Sequence, residues 1–254
     1  MRRALIGHTG FVGGNYARQR AFEACYRSID IETIAGQHFD LVVCAGAPGT
    51  KWLANQEPER DREALQRLMR PLERVRAERF VLLSTIDVFP APRGVDEASP
   101  VDGAAASPYG RHRRELEEFV ASRFGNHLIV RLPGLFGPGL KKNPIYDLLH
   151  ENRLEAVPSD GLFQFYDLTR LAADLDTAGR AGLALVHFAT EPVRIAEVAQ
   201  HAFGRAFENP FGARAPRYDL RTRHAAAFGR SGWYLASKAE TLAGIAAFAR
   251  SARA

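Results

Sequence analysis

Short apolar runs alternate with amphipathic stretches through the first half of the chain, a pattern that predicts a parallel α/β sheet. Residues 4–7 (ALIG) read as the first strand and 11–21 as the first helix. A second strand over 22–27 leads into a short helical turn near 31–36. The run FDLVVCAG, 39–46, is continuously apolar, as a strand buried on both faces must be. Charged, amphipathic 58–77 predicts a helix, and RFVLLST, 79–85, the next buried strand. A helix starts at Ser107-Pro108 and runs to Arg123, and HLIVRL, 127–132, follows as a strand. Beyond it the pattern loosens: 143–152, 167–178 and 194–204 read as helical and 183–189 as a strand. Between Gly204 and Trp233 the chain is rich in Arg, Gly, Pro and aromatics and keeps no period. About eleven residues link the second strand to the strand at 39, too few for a helix–strand–helix insertion, so the sheet is expected to lack one edge strand.

Composition adds little to this picture. With 46% hydrophobic and 25% charged residues among 254, the chain has the make-up of an ordinary globular protein. No apolar run approaches the ~20 residues of a membrane-spanning helix. The apolar stretch after Arg2-Arg3 is too short for a secretory signal, so a cytoplasmic protein is expected. Cys25 and Cys44 lie in strand-like runs and read as small buried hydrophobes. The eight histidines show no ligand spacing, and no metal site is expected. A net charge of +5, carried mostly by arginine, suits anionic ligands because guanidinium pairs bidentately with phosphate. No nucleic-acid motif accompanies it, and neither nucleic acid nor membrane is expected as a partner.

The chemistry begins at Gly7-His8-Thr9-Gly10-Phe11-Val12-Gly13, set between the first strand and the first helix. Gly7 permits a tight turn, Gly10 lets backbone N–H groups approach a pyrophosphate, and Gly13 lets the helix sit close to the strand. The spacing is GxxGxxG. Together with Ser84-Thr85-Ile86-Asp87-Val88-Phe89 and Ser107-Pro108-Tyr109-Gly110-Arg111-His112-Arg113, it resembles the extended short-chain dehydrogenase/reductase family of nucleotide-sugar epimerases, dehydratases and reductases. The resemblance spans about residues 3 to 170. It implies a Rossmann-type doubly wound parallel sheet over 1–135. A small C-terminal substrate-capping region would cover 136–254, interleaved with the last core elements at 168–190.

By that resemblance Tyr109 is the acid/base of a YxxxK motif and Thr85 its hydrogen-bonding partner. A free phenol has a pKa of ~10 and needs a nearby cation to exchange protons near neutrality. Position 113, four residues on and on the same helical face, is arginine rather than lysine. Three readings stay open: a working variant, a protein that holds cofactor without turnover, and a surface arginine unrelated to the site. The resemblance further places Thr9, Phe11, Val12, Ala45, Gly46, Ala47, Asp30, Ile31 and Pro133 at the cofactor. The second strand ends on Tyr26-Arg27-Ser28 with no carboxylate, so Arg27 and Ser28 favour NADP over NAD.

Ser84, Asp87, Lys141, Lys142, Asn143, Arg217 and Arg221 are candidate substrate contacts, the lysines and arginines suiting phosphate. Thr85 is followed by Ile86-Asp87 without the dehydratases' Asp-Glu pair, which disfavours dehydration. The compressed link after the second strand is similar to the dTDP-4-dehydrorhamnose reductase branch. The expected activity is reduction of a carbonyl on a nucleotide-linked or other keto-sugar. An NAD-retaining sugar epimerase and a non-catalytic dinucleotide-binding regulator are the alternatives. Helices 58–77 and 107–123 are the family's dimerising pair, so a homodimer is compatible with the sequence.

Overall fold

The computed structural model describes residues 1–253 and divides into two compact units. The first comprises Met1–Ala91, Pro100–Arg131 and Leu175–Val186. Its four leading strands are β1 (Arg3–Ile6), β2 (Ala24–Tyr26), β3 (His38–Cys44) and β4 (Arg76–Thr85). They join the strands His127–Leu132 and Leu185–His187 in a six-stranded sheet. Its order, starting from Leu185–His187, is His127–Leu132, β4, β3, β1 and β2. β3 pairs in parallel with both β1 and β4, with Val42 opposite Ala4 on one side and Phe80 on the other.

Alternate residues of each strand face one core. Ala4, Ile6, Val42, Cys44, Phe80, Leu82 and Ile129 pack there with Leu65, Leu68 and Leu72 of α3 (Pro58–Leu72) and Leu116 and Val120 of α4 (Pro108–Arg123). Intervening residues such as Leu5, Val43, Val81 and Leu128 are also buried, which is why these strands read as unbroken apolar runs. Helix α1 (Phe11–Ala17) follows the glycine turn, and α2 (Lys51–Gln56) lies between β3 and α3.

β2 is a three-residue edge strand, and a short 3-10 turn over Ile31–Ile34 carries the chain to β3, so the sheet ends at β2. This edge position corrects one expectation: Cys25 is exposed, its neighbours Ala24 and Tyr26 turning inward instead, while Cys44 is buried. The helix expected over 58–77 ends at Leu72, where Pro71 removes a backbone donor, and β4 starts earlier than expected, pairing Arg76 with His38. Neither α2 nor the C-terminal helix Lys238–Arg253 is predicted by the sequence pattern.

The second unit holds Pro92–Ser99, Leu132–Asp174 and His187–Ala254. Three two-stranded pairs organise it: Gly134–Phe136 with Phe165–Asp167, Leu162–Phe163 with Val193–Arg194, and Arg93–Val95 with Asp219–Leu220. Helices Pro144–His150, Ile195–Phe203 and Lys238–Arg253 close on a core of Phe136, Ile145, Leu148, Phe165, Val198 and Ile245. Gln164 replaces missing sheet bonds: its side chain donates to Leu220 O (2.7 Å) and accepts from Leu220 N (2.7 Å). Glu97 similarly accepts from His187 N (2.8 Å), Thr222 Oγ1 (2.6 Å) and Arg223 N (2.8 Å). Among the described residues no helix is long and apolar enough to cross a membrane.

Candidate active site

The glycine turn leaves β1 with Gly7 at φ +84°, its N–H donating to Tyr26 O at 2.7 Å. A Cβ on Gly7 would lie 2.4 Å from Ala45 O, and one on Gly13 would lie 2.2 Å from Gly7 O. Backbone therefore meets backbone where the loop crosses the end of β3 (Ala45, Gly46), and only glycine fits either position. Gly10 is different: it is exposed, and a Cβ there would meet only Gly7 O, at 3.3 Å. It caps α1 in an extended conformation with no side-chain hydrogen bond, beside exposed Thr9 and half-buried Phe11 and Val12. An open Gly10 between two glycines sealed by backbone is a cradle that fits a dinucleotide pyrophosphate. Ala47 packs against the apolar core.

At the end of β2, Arg27 and Ser28 are exposed. The Asp30 carboxylate accepts from Arg27 N (2.6 Å) and stands 3.7 Å from the Arg27 guanidinium, while Ile31 is buried in the core. Asp30 thus closes its own turn and partly offsets the charge of Arg27.

Thr85 ends β4 and Tyr109 sits in the first turn of α4, which Ser107 caps and Pro108 opens. Gly110 brings the two together: a Cβ there would fall 1.9 Å from Asp87 O, so α4 starts directly against the turn Ile86–Val88. The Thr85 hydroxyl accepts from Asp87 N at 3.2 Å. Burial pushes the Tyr109 phenol up from its ordinary value. The Arg113 charge opposes that rise, the Asp87 carboxylate reinforces it, and Lys51 and the Thr85 hydroxyl oppose it again.

Strand alternation sends Ser84 the other way. Its hydroxyl donates to Glu117 (2.6 Å), which is fully buried and held in a two-pronged bond by Arg131 (3.0 and 2.7 Å). The substrate role expected for Ser84 thus meets a hydroxyl already committed to the core.

Arg113 is 2% exposed, which rules out the surface-arginine reading. Its guanidinium lies 3.8 Å over the Tyr109 ring and donates to both Asp61 oxygens, to Pro48 O and to Tyr109 O. His112 shares the same carboxylate at 2.8 Å. Burial would raise the Asp61 carboxyl, but the bonds from Arg113 and His112 outweigh it and hold it below the ordinary value. Position 113 therefore clamps α4 to α3 and to the loop after β3 while its charge faces the tyrosine ring.

Residues that the motif did not mark complete this cluster. Asn55, on α2, accepts from Tyr109 N at 3.1 Å, and Lys51, one turn earlier, donates to Asp87 Oδ1 at 2.7 Å. Their four-residue spacing was the available signal, and it lies in a segment too short to show a helical period.

The other candidate residues belong to the second unit. Pro133 is buried, and Lys141, Lys142 and Arg217 are exposed. The Asn143 side chain caps the helix Pro144–His150 and donates to Leu135 O (2.7 Å). Arg221 is paired with Asp219 at 2.8 Å.

A parallel sheet with this strand order, a sealed glycine turn and a Thr–Tyr pair at the sheet's carboxyl end define the class: a Rossmann-type α/β protein. Residues 25–150 match the NAD dependent epimerase/dehydratase family, a stretch that includes Thr85 and Tyr109 and begins after the glycine turn. Over that stretch, just under half of its length, the chain is similar to the family. Among solved structures it is similar to a dTDP-4-dehydrorhamnose reductase from Bacillus anthracis in complex with NADP, at TM-score 0.76 and 15% identity over 97% of this chain and 96% of that one. A dTDP-glucose 4,6-dehydratase from Streptomyces venezuelae with NAD bound matches at 0.75 and 16%, over 100% and 97%. A UDP-galactose 4-epimerase matches at 0.74 and 17%, over 100% and 99%. At these identities the likeness shows the fold alone. No curated protein matches by sequence.

Proposed function

We propose that the protein is an NADP-dependent oxidoreductase that reduces a carbonyl on a nucleotide-linked or other keto-sugar. The observation that carries this reading is the close approach of α4, whose first turn bears Tyr109, to the turn that follows Thr85 at the carboxyl end of β4. A Cβ on Gly110 would fall 1.9 Å from Asp87 O there. Tyr109 delivers a proton to the carbonyl oxygen, and Thr85 holds that oxygen by a hydrogen bond. Gly7, Gly10 and Gly13 hold the pyrophosphate, and Ala45–Ala47 border it. Arg27 and Ser28 receive the 2′-phosphate. When bound, the nicotinamide supplies the hydride. Lys141, Lys142, Arg217 and Arg221 supply cationic groups for an anionic sugar substrate.

The test is NADPH oxidation with a panel of free and nucleotide-linked keto-sugars, with binding of NADPH and NADH measured alongside. Turnover with at least one keto-sugar is expected, lowered about a hundredfold or more in Tyr109→Phe. NADH binding more tightly than NADPH sinks the cofactor assignment. Stoichiometric copurified NAD without net oxidation of NADPH moves the reading to the epimerase. No turnover on any sugar, with cofactor binding unaffected by Tyr109→Phe, moves it to a non-catalytic binding protein.

A further inference from the structure

The first turn of a helix leaves its N–H groups without intrahelical acceptors, and α4 settles each of them differently. Pro108, the first helical residue, has no N–H to satisfy. Gly110 N donates to Ser107 Oγ at 3.4 Å, and Arg111 N makes the first intrahelical bond, to Ser107 O at 2.9 Å. The N–H of Tyr109 lies between them and finds its acceptor outside the helix. It donates to Asn55 Oδ1 at 3.1 Å, on α2 and 54 positions earlier in the chain. Because an N–H can only donate, the Asn55 carboxamide has to meet it with its oxygen. Three contacts thus converge on one turn: the Ser107 cap, the Asp87 carbonyl 1.9 Å from where a Cβ on Gly110 would fall, and Asn55. Further along α4, Arg113 bonds Pro48 O in the loop that leads into α2, so the two helices are tied a second time.

We propose that Asn55 is a positioning residue of the candidate site: from α2 it supplies the cap that α4 does not provide for Tyr109 itself, and so fixes the backbone from which the tyrosine side chain projects. The inference rests on Tyr109 being the acid/base. Helix ends fray, and this proton donor sits in the first turn, where fraying would move it. A displacement of about 1 Å at a reacting group can cost about a hundredfold in rate, so a bond that holds this turn acts on the chemistry without touching substrate. It also gives the six-residue α2 a function that its sequence does not announce.

The test compares Asn55→Ala, Asn55→Asp and, as a control on the same helix, Gln56→Ala at an exposed position. Amide hydrogen exchange followed by NMR reads the bond directly. In Asn55→Ala the Tyr109 amide is expected to exchange about fivefold faster, the worth of one cap, while amides of buried Val81 and Leu82 in β4 keep their rates. Asn55→Asp retains an acceptor oxygen and is expected to restore protection, and Gln56→Ala to leave it unchanged. Fluorotyrosine incorporated biosynthetically reads the side chain. The fluorine resonance absent from Tyr109→Phe is expected to shift in Asn55→Ala and to return in Asn55→Asp. With a keto-sugar, kcat is expected to fall about fivefold in Asn55→Ala, with KM and NADPH affinity within about twofold of the wild type. An unchanged Tyr109 exchange rate overturns the proposal, and so does equal acceleration of the β4 amides, which marks general loosening. A fluorine resonance that stays in place, or a kcat unchanged in Asn55→Ala, overturns it too. Exchange and fluorine spectra need no turnover, so they decide on Asn55 even where the sugar-reduction assay fails.

Discussion

Removing the Arg131 side chain would leave Glu117 charged and fully buried, with only Ser84 and the half-buried Arg114 as polar partners. Arg131→Met is expected to destabilise the fold by about 3–5 kcal/mol, because an unpaired buried charge costs more than the pair itself contributes. Urea unfolding measures it, and a loss below ~1 kcal/mol would mean that Ser84 and Arg114 suffice to hold the carboxylate. At the glycine turn, Gly13→Ala puts a methyl group 2.2 Å from Gly7 O. Loss of NADPH binding is expected, read by titration of cofactor fluorescence, whereas Gly10→Ala is expected to keep the fold, because its Cβ would stand 3.3 Å from Gly7 O and ask for a shift of only a few tenths of an ångström. These residues differ in how openly the sequence announces them. The glycines stand in a spaced motif; Glu117 is one carboxylate among several on a charged helix, and only the arrival of Arg131 from another strand singles it out.

Among the elements, the C-terminal helix Lys238–Arg253 is held by a reciprocal cap. Glu240 N bonds Ser237 Oγ (3.2 Å), and Ser237 N bonds Glu240 Oε2 (2.8 Å). Backbone bonding from Ser237, reinforced by Arg230, pulls the Glu240 carboxyl down to about 2 from an ordinary 4.5. Its folded pKa is depressed, so its stabilisation is complete above the ordinary value and is lost as pH falls from about 4.5 toward about 2. Ser237→Ala is expected to cost about 1 kcal/mol and to keep most of the acid limb of a stability–pH curve, because the backbone N–H of residue 237 still donates to Glu240. Glu240→Gln, in contrast, is expected to flatten the limb over that window. An unchanged limb in Glu240→Gln would place the acid sensitivity elsewhere. The cap was present in the sequence as Ser237-Lys238-Ala239-Glu240, but an alanine-rich segment without a clear apolar stripe gave it nothing to introduce. Similarly, α2 has six residues, and a single turn and a half shows no period.

For the whole molecule, a dinucleotide that binds only the folded chain raises its stability by mass action, by about 2.7 kcal/mol at a hundredfold excess over its dissociation constant. Thermal unfolding with equal concentrations of NADPH and NADH should show the larger rise with NADPH; a larger rise with NADH would remove Arg27 and Ser28 from the proposed site. Asp61 adds to the acid sensitivity of the first unit. Its carboxyl is held low by Arg113 and His112, so the stability it gives is present above the ordinary carboxylate range and disappears as pH falls through its depressed value.

Periodicity and the spacing of glycines were sufficient for the parallel sheet and the segments carrying Thr85 and Tyr109, because each is a local property of a few neighbouring residues. The tertiary structure alone decided what surrounds those residues. It turned Arg113 inward onto Asp61, committed Ser84 to Glu117, and brought Lys51 and Asn55 from α2 against the threonine turn and the start of α4. Each of these contacts joins residues 33 to 54 positions apart. A side chain's partner at that distance depends on how helices pack over the sheet, and no local pattern records it.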